Sequence, residues 1–175
     1  MKKNLVLTGM MGVGKSTVGR KLAEKLKLKF VDVDKFIEKR EKSKISDIFK
    51  VKGEDYFRKI EKKITLEILK EQQIIIALGG GGFLNNLIRQ KIKNSSISFW
   101  LDSNIKTILP RLQNNKKRPL LNRDNLEENI NKIYLERKKI YNKADFKIRC
   151  NSLKIYEIVS KIIKLYENSK DKVSK

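Results

Sequence analysis

Lys15 and Ser16 close the run Gly9-Met10-Met11-Gly12-Val13-Gly14-Lys15-Ser16, which fits GxxxxGK[ST] at every fixed position. Residues of these types at this spacing handle a polyphosphate. The glycines let backbone N–H groups close around phosphate oxygens and a following helix adds a favourable dipole. The lysine can reach β and γ oxygens, and the hydroxyl can ligate Mg²⁺. With Gly near ~7% of residues, a chance fit in a chain this long has odds well under about one in a hundred. Gly12, Val13, Gly14, Lys15, Ser16 and Thr17 are therefore the expected nucleotide contacts, with Ser16 at the metal.

Two acids follow. Asp32 and Asp34 are expected at the carboxyl end of a strand over Phe30–Val33, where a period of two places both side chains on one face, about 7 Å apart. One could help hold Mg²⁺ and the other could take the proton of an acceptor hydroxyl, or Asp34 could merely cap the next helix. The chain has no histidine, which excludes a Ser/His/Asp triad, an imidazole base and zinc sites that need imidazole. A carboxylate must serve as any base.

Arginines supply the anion-binding chemistry. Arg137 shares a helical stripe with Ile130, Tyr134 and Tyr141, so it faces inward and needs an anion, either an internal carboxylate or that of a substrate. Arg58 sits beside Phe57, with Glu61 one turn on as an orienting partner or a surface pair. Arg118, next to Pro119 in a polar segment, is a loop cation or a residue that closes over the transferred phosphate. The run Gly79 to Gly82 is a flexible turn or, in the favoured reading, a place where backbone amides approach a ligand.

Elements that must hold these residues can be read from periodicity. Strands are expected over Asn4–Thr8, Phe30–Val33, Ile74–Leu78, Ile97–Leu101 and Asp145–Cys150. Helices are expected after Gly14, from the Ile37 region, in a short turn at Ile45, Ile48 and Phe49 begun by Ser46, and after Gly53. Others run from about Asn104 to Leu112, Leu126 to Tyr141 and Ser152 to about Tyr166. Five strands alternating with helices predict a three-layer α/β/α fold around a five-stranded parallel sheet, with ligands at the carboxyl ends of its strands. A single domain over 1–168 and a frayed polar tail at 169–175 complete this division.

Composition narrows the class further. The 175 residues carry a net charge of +22, but the lysines are spread over most helices rather than gathered in one block with aromatics. That pattern reads as solvated surface, and nucleic acid is not an expected partner. Cys150 is the only cysteine, so no internal disulfide or multi-thiolate metal site can form. Its expected place is a buried position near a strand end. No apolar run approaches the ~20 residues needed to span a bilayer, and a cytoplasmic location is expected.

Taken together, these residues resemble the shikimate kinase family. The likeness rests on Gly9 to Arg20, Asp32-Val33-Asp34, Ile45 to Phe49, Gly53-Glu54, Phe57-Arg58 with Glu61, the glycine run from Gly79, Arg118 to Leu121, and Arg137 with Tyr141. It extends to about residue 166. The resemblance implies a P-loop kinase with sheet order 2-3-1-4-5, an acceptor region at about 34–61 and a lid at about 113–125. It implies a monomer using ATP and Mg²⁺ on shikimate. Lys15, Asp34 and Arg118 then take the catalytic roles, and Asp34, Arg58, Arg137, Gly80 and Gly81 bind the acceptor, walled by Phe49 and Phe57. Arg111 is implied against the adenine, with Arg118 from the lid, and Asp32 as an outer magnesium ligand. The loop Asn151-Ser152-Leu153 lacks the proline common there in the family, which leaves the adenine contacts open. A sugar-acid kinase of gluconate type, or a basic nucleic-acid-binding module, are the alternative readings.

Overall fold

In the computed structural model, which describes residues 3–113 and 125–171, the sheet is built from short apolar runs. Five parallel strands, β1 (Asn4–Thr8), β2 (Lys29–Asp32), β3 (Ile74–Ala77), β4 (Ser96–Asp102) and β5 (Phe146–Arg149), lie in the order β2-β3-β1-β4-β5. The expected order and class are therefore observed. Leu5, Val6 and Leu7 of β1 and Ile75 and Ile76 of β3 are fully buried. Such residues need helices on both faces of the sheet, and each buried side chain contributes about 1.5–3 kcal/mol relative to exposure. Asn4 begins β1 inside this core. Its Nδ2 donates to the Glu71 carbonyl at 2.7 Å and its Oδ1 accepts from Ile74 N at 3.1 Å, so it aligns the starts of β1 and β3.

The helices are α1 (Lys15–Leu26), α2 (Val33–Glu41), α3 (Ile45–Ile68), α4 (Asn86–Ser95), α5 (Ile105–Gln113), α6 (Leu126–Tyr141) and α7 (Ile155–Asp171), with a 3₁₀ turn at Gly82–Leu84. Several boundaries differ from the sequence reading for identifiable reasons. The second strand stops at Asp32, because Asp32 caps α2 by accepting from Lys35 N at 3.3 Å. Asp34 thus lies in the first turn of a helix, and the two acids do not share a strand face. The third helix starts at Ile45, whose N–H is capped by Glu38 from α2 at 3.1 Å, and not at Ser46. Gly53, at φ 80°, breaks that helix into the two pieces expected on either side of it.

α4 was not anticipated, although Asn85 caps it through Leu87 N and Ile88 N and Ile88 and Ile92 bury one face. The last helix extends past Tyr166 to Asp171. At the other side of the sheet, α6 is tied to β4. The Tyr134 hydroxyl donates to Asp102 Oδ1 at 3.0 Å, and Lys147 of β5 pairs with Asp102 Oδ2 at 3.0 Å while lying over the Trp100 ring.

Candidate active site

All five strands point their carboxyl ends to one edge, and the strand order decides what meets there. β1 and β3 are neighbours, so the loop after β1 and the glycine turn after β3 emerge side by side, joined by Leu78 N donating to Leu7 O at 3.0 Å. β2 lies beyond β3, which brings Asp34 against the same turn and Asp32 against Ser16 of the loop after β1.

The loop between β1 and α1 has the shape its glycines allow. Gly14 caps α1 in the left-handed region, at φ 101°, a conformation that costs a residue with a Cβ roughly 1–2 kcal/mol. Lys15 folds back over its own loop, with Nζ donating to the carbonyls of Gly9 at 2.7 Å and Met10 at 2.9 Å. The Ser16 hydroxyl donates to Asp32 Oδ2 at 2.5 Å. Residues 12–18, Asp32 and Asp34 line a cavity of about 340 Å³ that continues to Arg111, Cys150, Leu153 and Ile155. Arg111 reaches back to the loop, donating to Gly12 O at 3.2 Å.

Hydroxyl and carboxylate oxygens at Ser16 and Asp32, already within hydrogen-bond distance, are the hard donors that Mg²⁺ takes when phosphate oxygens and water fill its remaining positions. No cluster of three or more His, Cys, Asp or Glu side chains suited to a metal exists among the described residues. The site therefore fits a metal that arrives with a nucleotide rather than one caged by protein.

The far end of this cavity contains residues that periodicity did not single out for a ligand. Ser103 and the amide of Asn104 both donate to Asn151 Oδ1, at 3.2 and 2.7 Å, fastening the loop after β5 to the start of α5. Leu153 and Ile155 then present apolar surface in the cavity that Arg111 also lines. Cys150 is buried just beyond β5, as expected. Burial pushes its thiol up to about 11, and the Asp102 charge adds to the rise. At pH 8 the thiolate fraction should fall about a hundredfold relative to an unshifted cysteine. Reaction with a disulfide reagent such as DTNB should be slower than in urea by about that factor, a ratio that stopped-flow thiol titration measures directly.

At the glycine turn, three charged side chains arrive from different helices. Arg58 of α3 donates from Nη1 to Glu61 Oε2 at 2.8 Å, and from Nε and Nη2 to Glu54 Oε1 at 3.1 and 2.9 Å. The i,i+3 pair exists but is not a surface pair: Glu61 is 3% exposed, and it aims the guanidinium at Gly81. A Cβ on Gly81 would fall on that guanidinium, and one on Gly79 would fall on Asp34 Oδ1 and 2.7 Å from Glu61 Oε1. Close approach, not flexibility, explains these glycines. Phe49 and Phe57 pack with centroids 4.7 Å apart beside this arginine, which lies over the Phe57 ring.

Arg137 is buried on α6, makes no ion pair among the described residues, and donates from Nη1 to Gly80 O at 3.1 Å. Tyr141, one turn later, donates its hydroxyl to the same oxygen at 2.5 Å. Glu61 is the acid whose importance the sequence understated. Its Oε1 is buried with no hydrogen-bond partner among the described residues, and burial holds its carboxyl above the ordinary range against the pull of Arg58. Asp34, Arg58, Gly80, Gly81 and Arg137 are thus brought together, as are Gly12–Thr17, Asp32 and Arg111. Arg118 and nearly all of the segment 113–125 lie outside the described residues.

The chain as a whole has counterparts among known proteins. The family model described as Shikimate kinase matches residues 11–167. A shikimate kinase of Sulfurihydrogenibium sp. (strain YO3AOP1) is 44% identical over 163 residues, covering 92% of this chain and 96% of its own length. The structure of an Acinetobacter baumannii shikimate kinase in complex with shikimate superposes with a TM-score of 0.92 at 32% identity, covering 96% of this chain and 94% of that one. A gluconokinase from Sinorhizobium meliloti 1021 superposes at 0.59 with 14% identity, covering 98% and 97% of the two chains, which is a likeness of fold alone. On a family match that runs through both the phosphate loop and the glycine turn, this chain belongs to the shikimate kinase family.

Proposed function

We propose that the chain transfers the γ-phosphoryl group of ATP to the 3-hydroxyl of shikimate, giving shikimate 3-phosphate and ADP for aromatic amino acid biosynthesis. The observation that carries this reading is the convergence of Arg58, Arg137 and Asp34 on one glycine turn adjacent to the phosphate loop. Two guanidiniums suit a carboxylate and one acid suits hydroxyls, which is the donor and acceptor pattern of a hydroxy acid.

In this mechanism the phosphates lie on residues 9–16, with Lys15 exchanging its loop carbonyls for β and γ oxygens. Arg58 and Arg137 fix the carboxylate so that the hydroxyl lies in line with the γ phosphorus, and positioning supplies most of the rate. Asp34 orients that hydroxyl and accepts its proton late, as the transition state is loose. Ser16 and Asp32 would hold Mg²⁺, which when bound would supply charge neutralisation for the polyphosphate. Arg118 is assigned to the transferring phosphate and Arg111, with Leu153 and Ile155 as apolar neighbours, to the base. A monomer is the proposed state. No helix among the described residues is long and apolar enough to cross a membrane, and the cytoplasm, where ATP is abundant, is the proposed compartment.

The test is ADP production with Mg·ATP, with and without shikimate, in wild type and Arg58→Ala. Shikimate should stimulate the wild type strongly. Arg58→Ala should raise KM for shikimate about a hundredfold, the loss of a bidentate charged contact worth ~3 kcal/mol, with KM for ATP unchanged. Turnover indifferent to shikimate but stimulated by gluconate or by polynucleotide would replace this acceptor with another.

A further inference from the structure

We propose that Tyr141 is a positioning residue for the acceptor, acting through the Gly80 carbonyl to hold the Gly80–Gly81 peptide in the orientation that receives a carboxylate. The proposal rests on the reading that the acceptor carboxylate lies between Arg58 and Arg137.

A peptide flanked by two glycines meets little steric resistance to rotation, since neither side carries a Cβ. Something outside the turn must fix it. Both lone pairs of the Gly80 carbonyl are taken by α6, one by the Tyr141 hydroxyl at 2.5 Å and one by Arg137 Nη1 at 3.1 Å. The two donors sit four residues apart, one above the other on the helix face that looks at the turn.

A planar trans peptide directs its C=O and the next N–H in opposite directions. With the Gly80 oxygen held toward α6, the Gly81 N–H is turned away from it, and Gly81 lies against the Arg58 guanidinium. Neither the Gly80 nor the Gly81 N–H has a backbone acceptor among the described residues. They are the backbone donors available to an anion at this place. If the peptide turned over, an oxygen would face the anion beside Asp34 and Glu61, where negative charge is already concentrated.

Tyr141 cannot act by touching the substrate, because its side chain is 0% exposed and packs against Trp100. It shares that carbonyl with Arg137, which spends a single N–H on it.

Tyr141→Phe removes one oxygen and keeps the ring packing. The variant should raise KM for shikimate about tenfold, with kcat and KM for ATP within about twofold of wild type and little change in Tm. An unchanged KM for shikimate overturns the proposal, as does a parallel rise in both KM values with a falling Tm, which marks general loosening. If the variant melts below assay temperature, shikimate calorimetry in the cold makes the same comparison through Kd. A wild type that ignores shikimate removes the acceptor reading and this proposal together. A responsive wild type matched by an indistinguishable Phe variant removes only the role of Tyr141.

Discussion

Lys15→Ala is expected to lower kcat by about 10²–10³-fold, the cost of about 2.7–4 kcal/mol typical of losing one preorganised donor at developing charge. The Lys15 ammonium is held by the carbonyls of Gly9 and Met10, at 2.7 and 2.9 Å. It is therefore poised at the mouth of the loop and moves a short way when phosphate oxygens replace those carbonyls. Affinity for shikimate, measured by calorimetry without nucleotide, should stay within about twofold. The acceptor's proposed contacts are on α2, α3, the glycine turn after β3 and α6, and none passes through Lys15. A variant that loses shikimate affinity as strongly as Arg58→Ala would show that the two halves of the site are not separable in the way the strand order implies.

Gly79→Ala should be the most damaging single methyl in the acceptor region. The new Cβ would clash with Asp34 Oδ1 and stand 2.7 Å from Glu61 Oε1. Neither carboxylate can yield easily. Asp34 is fixed in the first turn of α2, and Glu61 is 3% exposed and tied to Arg58. Displacing either shifts the group that orients the hydroxyl or the one that aims the guanidinium. The expected result is a fall in kcat/KM for shikimate of about 10²-fold or more, with overpacking costing about 1–3 kcal/mol of stability. Gly82→Ala supplies the control. Its Cβ would meet Glu61 Oε1 at 3.5 Å, an ordinary contact, and its kcat/KM should remain within about threefold of wild type. Equal tolerance of both substitutions would mean that the Asp34–Gly79–Glu61 approach is looser than described.

How much of this was readable from sequence depended on the range of the interaction. The phosphate loop, α1 and the buried strands were legible because their signals are local: glycine spacing at 9–14, continuous apolar runs, and helical periodicity through Val18 and Leu22. Arg137 was legible as an inward arginine because its stripe neighbours Ile130 and Tyr141 are apolar or aromatic. The geometry of Asp32 and Asp34 was not. A strand of period two and a helix that starts one residue after Asp32 look alike over three residues, and the cap that decides between them is a contact to Lys35 N. α4 escaped notice because its apolar face is only Ile88 and Ile92, set among charged and polar residues. Glu61 resembled any acid in a surface i,i+3 pair. Its burial comes from the packing of α3 beneath the glycine turn, which no local pattern encodes.

The strand order has a consequence for how such an enzyme changes its diet over evolutionary time. Everything proposed to recognise the acceptor, apart from α6, lies in one uninterrupted stretch from residue 33 to 82, running α2, α3, β3 and the glycine turn. The phosphate loop precedes that stretch and the remaining nucleotide end follows it. Recombination exchanging this cassette would leave the proposed phosphate-handling residues whole. The cassette is nevertheless keyed to its host. A transplanted turn would have to offer its carbonyl to the resident Arg137 and Tyr141, so acceptor exchange calls for matched change at two distant points of the gene.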